Sequence, residues 1–263
     1  MKNITKRQQK KIQYFLREKQ DRKEKKEIIH GKDLPKYLEK RIPYIRHLAP
    51  NLDRILIVSS FVSPPFKSGL IDRFLVLAEL EEVEPIICLN KTDLLEDRTE
   101  IDSFVSLYTD IGYSTIATSA VTGEGIEELH SLMKGHRSAF AGHSGVGKSS
   151  LLNRISPDLE IETGEVSDLT NKGRHTTTSL KIYKLDKDTE VLDLPGIKLI
   201  DFIDIHRDEA RFYFREFREF DQFCKFRDCL HLTELKCAVK QAVNDGEISE
   251  IRYDSYVKFL DSL

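Results

Sequence analysis

Hydrophobic positions along this chain fall into distinct textures. From residue 52 onward, short apolar runs bounded by turn residues alternate with helical stretches: "ILIVSS" from 55, "PIICLN" from 85, "STIATSA" from 114, "SAFAG" from 138, "LKIYKL" from 180 and "EVLDLPG" from 190. Nearly continuous Ile, Val and Leu runs predict strands buried on both faces of a mostly parallel sheet, since a solvated face would place a polar residue at every second position. The intervening periodicity predicts helices over about 68–82, 96–110, 124–135 and 148–155. Before residue 48 the pattern differs. "KKIQYFLREKQDRKEKKEII" has no Gly or Pro and few β-branched residues, which predicts a charged helix. After residue 204 the texture becomes helical around a cysteine cluster. The expected architecture is α/β, in three parts: a basic helical arm (1–47), a sheet domain covered by helices on both faces (48–205) and a small helical domain (206–263).

Charge changes this picture. The whole chain carries a net charge of -3. Residues 1–47, however, hold 16 Lys or Arg against 6 Asp or Glu, leaving 25 against 38 for the remainder. A basic arm on an acidic body suits a phosphate-rich polymer as partner, because arm cations displace condensed counterions while the body is repelled. The same composition also fits a solvated helix with no partner. No run approaches ~18 uncharged apolar residues, and "MKNITKRQQKK" lacks the apolar core of a signal peptide, so a soluble cytoplasmic protein with no membrane partner is expected.

The strand ends carry the candidate chemistry. "AFAGHSGVGKSSLLNRI" reads as a strand, a Gly-rich loop and a helix start, with the full G-x-x-x-x-G-K-[ST] pattern. Gly142 and Gly147 let backbone amides approach phosphates, and Ser144, Gly145, Val146 and Ser150 join them as nucleotide contacts. Lys148 neutralises the β- and γ-phosphates, and the Ser149 hydroxyl suits Mg²⁺. In "CLNKTDLL", Asn90, Lys91 and Asp93 follow a buried strand; an Asp there accepts from both guanine N1–H and N2–H₂, a donor pair that adenine lacks, which selects GTP. Ser119 and Ala120 of "TSAVTGEGIEEL" are placed to offer backbone N–H groups to the base oxygen. In "VLDLPG", Asp193 assists Mg²⁺ and the Gly196 N–H senses the γ-phosphate. The next residue, Ile197, has no group to orient water, so hydrolysis needs another device. "NKGRHTTTSL" offers Thr176 or Thr177 as a further Mg²⁺ ligand, and His175 to position water or touch phosphate.

Base-reading elements thus precede phosphate-reading ones, the reverse of the usual GTPase order. A circular permutation explains this, since domain termini tend to lie close together and joining them leaves a pocket intact. The cut then falls after the D-x-x-G, and the chain passes straight from the nucleotide switch into the last domain. There "CKFRDCLHLTELKC" supplies Cys224, Cys229, His231 and Cys237, a closed Cys₃His set for structural Zn²⁺. Cys88 reads instead as a small hydrophobe in a buried strand.

The permuted order, together with "LIDRFLVLAE", "NKTDLL", "GHSGVGKSSLLN", "GRHTTT", "DLPG" and the Cys-Cys-His-Cys cluster, resembles the RsgA family of bacterial small-ribosomal-subunit biogenesis GTPases over roughly residues 48–263. The resemblance implies subunit-stimulated GTP hydrolysis late in small-subunit maturation, the small subunit and its rRNA as partners, and a catalytic role for His175 alongside Lys148. Members of that family usually begin with an OB-fold barrel of ~70 residues or more of short strands and turns. Fewer than 50 residues precede the GTPase region here and they read as helical, so the basic arm is expected to take the barrel's place. A monomer is expected. The competing reading is a non-hydrolysing GTP-dependent RNA- or ribosome-binding module, motivated by Ile197.

Overall fold

In the computed structural model, residues 51–64, 66, 68–159, 161, 181–193 and 205–263 are described. Six strands, β1 (Arg54–Ser59), β2 (Glu84–Leu89), β3 (Ser114–Ala117), β4 (Arg137–Ala141), β5 (Lys181–Lys184) and β6 (Glu190–Asp193), form one sheet in the order β3-β2-β1-β4-β6-β5. Every pairing is parallel except the β5–β6 edge hairpin. That hairpin turns where the Asp186 carboxylate accepts from the Asp188 amide and the Thr189 hydroxyl, a local bonding pattern that favours a turn.

Both faces of the sheet are covered, as the unbroken apolar runs require. Ile55 and Ile57 of β1 and Ile87 and Leu89 of β2 pack with α1 (Ser68–Leu80) and α2 (Thr99–Ile111). The alternate residues Leu56, Val58, Ile86 and Cys88 pack on the opposite side with α3 (Ile126–Met133) and α4 (Lys148–Ile155). Cys88 is buried, and burial pushes its thiol up to about 12, so it behaves as the small hydrophobe its run implies. Helix α2 begins at Thr99, later than the periodicity suggests, because Thr92–Leu94 first forms a 3₁₀ turn and the Asp97 carboxylate accepts from the Thr99 amide.

Residues 205–263 contain short 3₁₀ turns, α5 (Arg218–Asp221), α6 (Ala238–Asn244) and α7 (Glu250–Leu260). Their core of Phe214, Phe217, Tyr256, Phe259 and Leu260 takes in Val76 of α1. Arg252 of α7 is 1% exposed and fixes this junction. Its guanidinium bonds Asp72 of α1 and donates to Glu216 at 2.6 Å, and it lies over the rings of Phe214 and Tyr108. The Tyr108 hydroxyl donates to the same Asp72 oxygen at 2.8 Å. Alongside, Glu79 of α1 accepts from Arg215 and Arg218, and Arg215 stacks 4.1 Å from the Tyr113 ring. A buried guanidinium is tolerated only when its charge and donors are met, and here carboxylates and aromatic faces meet them.

Candidate functional site

Loops carrying the candidate residues leave the carboxyl ends of β2, β3, β4 and β6, all on one edge of the sheet, where open α/β sheets bind ligands. Spatial order differs from chain order: β4, which ends in the Gly-rich loop, lies between β1 and β6, so the phosphate-type loop sits beside the "VLD" strand although about 50 residues separate them. On the other side of β1, β2 and β3 present the Asn90 and Ser119 loops.

Two glycines make the loop after β4 possible. Gly142 has φ +143°, and a Cβ there would lie 2.2 Å from the Val58 carbonyl of β1. Gly147, at φ +99° before α4, would bring a Cβ to 2.3 Å from the Asn90 amide nitrogen. Both positions demand a residue without a side chain. Between them run His143, Ser144, Gly145 and Val146, while Lys148, Ser149 and Ser150 open α4, whose first amides have no partner within the helix. The Lys148 ammonium folds back onto the Gly142 and His143 carbonyls at 3.0 and 3.1 Å. Burial lowers its pKa, opposed by nearby Asp193; burial raises that of Asp193, opposed by Lys148 and then Lys181. Desolvation therefore outweighs the attraction between the two groups.

Asn90 is 2% exposed and ties three loops together. Its amide nitrogen donates to the Val146 carbonyl at 2.9 Å, and its oxygen accepts from the Ala120 amide and the Thr118 hydroxyl, each at 3.3 Å. This side chain is spent on the protein itself, holding the Gly-rich loop against the base-side loops. Lys91, in the left-handed region at φ 65°, reaches across to donate to the Ser63 carbonyl at 2.7 Å. The Asp93 carboxylate accepts from the Ser119 hydroxyl, which in turn accepts from the Thr122 amide at 3.1 Å. Thus Asn90, Lys91, Asp93, Ser119, Ala120, the Gly142–Ser150 loop and Asp193 converge on one edge, while His175, Thr176, Thr177, Gly196 and Ile197 lie outside the described residues. Sequence reasoning missed Thr118, Arg98 and Glu124, which brace the base-side loops; only the glycines flanking Glu124 mark it in the chain.

The second cluster is at the far end of the chain. The ligand atoms of Cys224, Cys229, His231 and Cys237 all lie within 4.8 Å of one another. His231 Nδ1 is 3.6 Å from the Cys224 sulfur and 3.3 Å from the Cys237 sulfur, while its Nε2 faces the Asp221 carboxylate at 3.2 Å. Amides of Ala238 and Lys240 donate to the Cys224 and Cys237 sulfurs. A carboxylate facing the far ring nitrogen of the histidine, with amide donors aimed at two cysteine sulfurs, suits a metal site, and the donor set is compatible with zinc. Burial pushes the Cys229 thiol up to about 12, so a cation must displace its proton to bind. Among the described residues no helix is long and apolar enough to cross a membrane.

Comparison with known proteins shows what the whole chain is similar to. Residues 34–203 match the family model described as RsgA GTPase. The chain is 44% identical over 223 residues to the small ribosomal subunit biogenesis GTPase RsgA of Caldanaerobacter subterraneus subsp. tengcongensis, covering 85% of this chain and 75% of that protein. Its identity to the protein of that name from Geobacillus kaustophilus is 45% over 224 residues, covering 84% and 76%. Among solved structures, YjeQ from Thermotoga maritima is similar with a TM-score of 0.69 at 40% identity, covering 81% of this chain and 72% of that one. The structure of YloQ, described as a circularly permuted GTPase, has a TM-score of 0.66 at 39% identity, covering 81% and 68%.

Proposed function

This chain belongs to the RsgA GTPase family and hydrolyses GTP, and we propose that it does so late in maturation of the small ribosomal subunit, the particle for whose biogenesis its relatives are named. The observation that carries this reading is the convergence of base-side and phosphate-side loops on one sheet edge, tied through Asn90. In that reading Asp93 selects guanine, and Ser119 and Ala120 complete the base pocket. Gly142, Ser144, Gly145, Val146, Gly147 and Ser150 line the phosphates, and Lys148 swings from the Gly142 and His143 carbonyls to the triphosphate. Ser149, Asp193 and either Thr176 or Thr177 would hold Mg²⁺, with Gly196 sensing the γ-phosphate; the half-buried Asp193 carboxylate beside Lys148 fits a cation there. When bound, Mg²⁺ neutralises charge on the transferring phosphoryl group. His175 positions the attacking water, since Ile197 has neither donor nor acceptor.

The chain is organised as a basic arm (1–47), a permuted GTPase domain (48–205) and a domain held by structural Zn²⁺ (206–263), and it acts as a cytoplasmic monomer. The arm, with its excess of Lys and Arg, contacts rRNA phosphates, and the subunit accelerates hydrolysis through His175. Co-sedimentation with purified small subunits tests the reading: retention with a non-hydrolysable GTP analogue and release with GDP is the expected outcome. Equal behaviour with both nucleotides contradicts a switch.

A further inference from the structure

We infer that Glu124 is a positioning residue for guanine recognition, clasping the two base-side loops so that the Asp93 carboxylate is held in one orientation. The inference rests on the base-reading assignment of Asp93. Glu124 lies 31 residues beyond Asp93 in sequence yet grips its surroundings from both sides. On one side, a Glu124 oxygen accepts from the Thr92 hydroxyl at 2.8 Å, one residue before Asp93. The same carboxylate pairs with the Arg98 guanidinium through both of its oxygens, fastening the far end of the loop that leads into α2. On the other side, the Glu124 carbonyl accepts from the Ser119 amide at 3.0 Å, closing the turn whose Ser119 hydroxyl holds the Asp93 carboxylate.

The backbone around Glu124 is built for this reach. Gly125 has φ +67°, and a Cβ there would lie 2.1 Å from the Ala117 carbonyl at the end of β3. Such a close approach keeps the Glu124 main chain against the sheet while its side chain crosses to the neighbouring loop. Arg98 and Thr92 both keep the carboxylate ionised, Arg98 more strongly, so it stays a pure acceptor for both partners. Releasing the clasp frees Asp93 to rotate about its own bonds without removing any group that touches the base. Two donors on guanine, N1–H and N2–H₂, demand one carboxylate orientation; inosine, lacking the 2-amino group, demands less. Loss of Glu124 therefore weakens guanine more than hypoxanthine.

The test measures equilibrium binding of GTP and ITP to the full chain carrying Glu124→Ala, Glu124→Gln or Asp93→Asn, with the melting temperature of each. Glu124→Ala is expected to lose about tenfold in GTP affinity, the scale of one hydrogen bond to a charged group, and to narrow the GTP-over-ITP preference several-fold. Glu124→Gln keeps one oxygen for Thr92 and Arg98 but loses the charge and the second acceptor, so it is expected to recover part of the preference. Wild-type preference in Glu124→Ala, an equal loss for GTP and ITP, or no recovery in Glu124→Gln overturns the inference. Asp93→Asn separates this from the underlying assignment. If it abolishes GTP binding while Glu124→Ala changes nothing, only the clasp falls; if it too binds GTP normally, the base-reading role of Asp93 falls with it.

Discussion

The cysteine cluster and the sheet edge that carries the candidate nucleotide loops each gather several polar groups, by opposite means. At the sheet edge the parallel strands do the positioning: β2, β3, β4 and β6 bring the candidate loops side by side. In residues 205–263 the longest helix, α7, has 11 residues and α5 only 4, so regular structure alone does not gather the cluster. Side chains do most of it, through the Cys₃His cluster, the Asp221 carboxylate facing His231 and the Arg252 junction, with amides of α6 aimed at two of the sulfurs.

Metal removal should break this contrast most visibly. Because metal binding in so small a unit is folding free energy, on the order of 10 kcal/mol for structural Zn²⁺, chelation or Cys229→Ser is expected to unfold residues 205–263. Hydrogen exchange should then show lost protection in α6 and α7 with the sheet still protected. Retained protection across α7 would mean that the core of Phe214, Phe217 and Tyr256 suffices without metal.

Next in size is the junction. Arg252→Met removes a buried charge and strands Asp72 and Glu216, which were paired with it. Breaking a buried pair from one side costs ~3–5 kcal/mol, measurable in urea denaturation, whereas Arg252→Met combined with Asp72→Leu and Glu216→Leu should recover most of that loss. At the nucleotide edge, Gly147→Ala drives a Cβ against Asn90 in a left-handed backbone. Steric strain of ~1–3 kcal/mol is expected, read as a roughly 10- to 100-fold loss of GDP affinity with the sheet intact.

The smallest effect concerns pH. Burial raises the Asp193 carboxyl above its ordinary value. Its contribution to stability is therefore fully present below the unfolded pKa and fades as pH rises through the folded one. Asp193→Asn should remove this dependence and slightly raise the melting temperature of nucleotide-free protein at neutral pH, while impairing Mg²⁺-dependent hydrolysis. Thermal unfolding at pH 4 and pH 7, without nucleotide, checks the sign.

Much of this was legible in the chain, and unevenly so. Apolar runs located each of the six strands among the described residues, and α4 begins and ends where the pattern places it, because the Gly-rich loop and Lys148 mark its start. The family, the α/β class and the permuted order followed from motifs whose residue types are dictated by local chemistry. Long-range pairing left no such trace. Nothing near Arg252 announces Asp72, which lies 180 residues away, and nothing in "NKTD" indicates that Asn90 spends its amide on Val146 and Ala120. Such partners are chosen by the packed fold, not by spacing. The hairpin turn at Asp186 and the late start of α2 likewise came from side-chain bonds to the backbone that periodicity does not encode.

We propose that this chain is a subunit-responsive GTPase in which His175 supports hydrolysis. Single-turnover GTP hydrolysis, with and without purified small subunits, tests it most directly in the wild type and in His175→Ala. The expected result is acceleration by the subunit in the wild type, and in the variant near-normal GTP binding with stimulated turnover lowered on the order of 10²-fold. No acceleration in the wild type would contradict the claim outright; full stimulation in His175→Ala would contradict the assignment of His175.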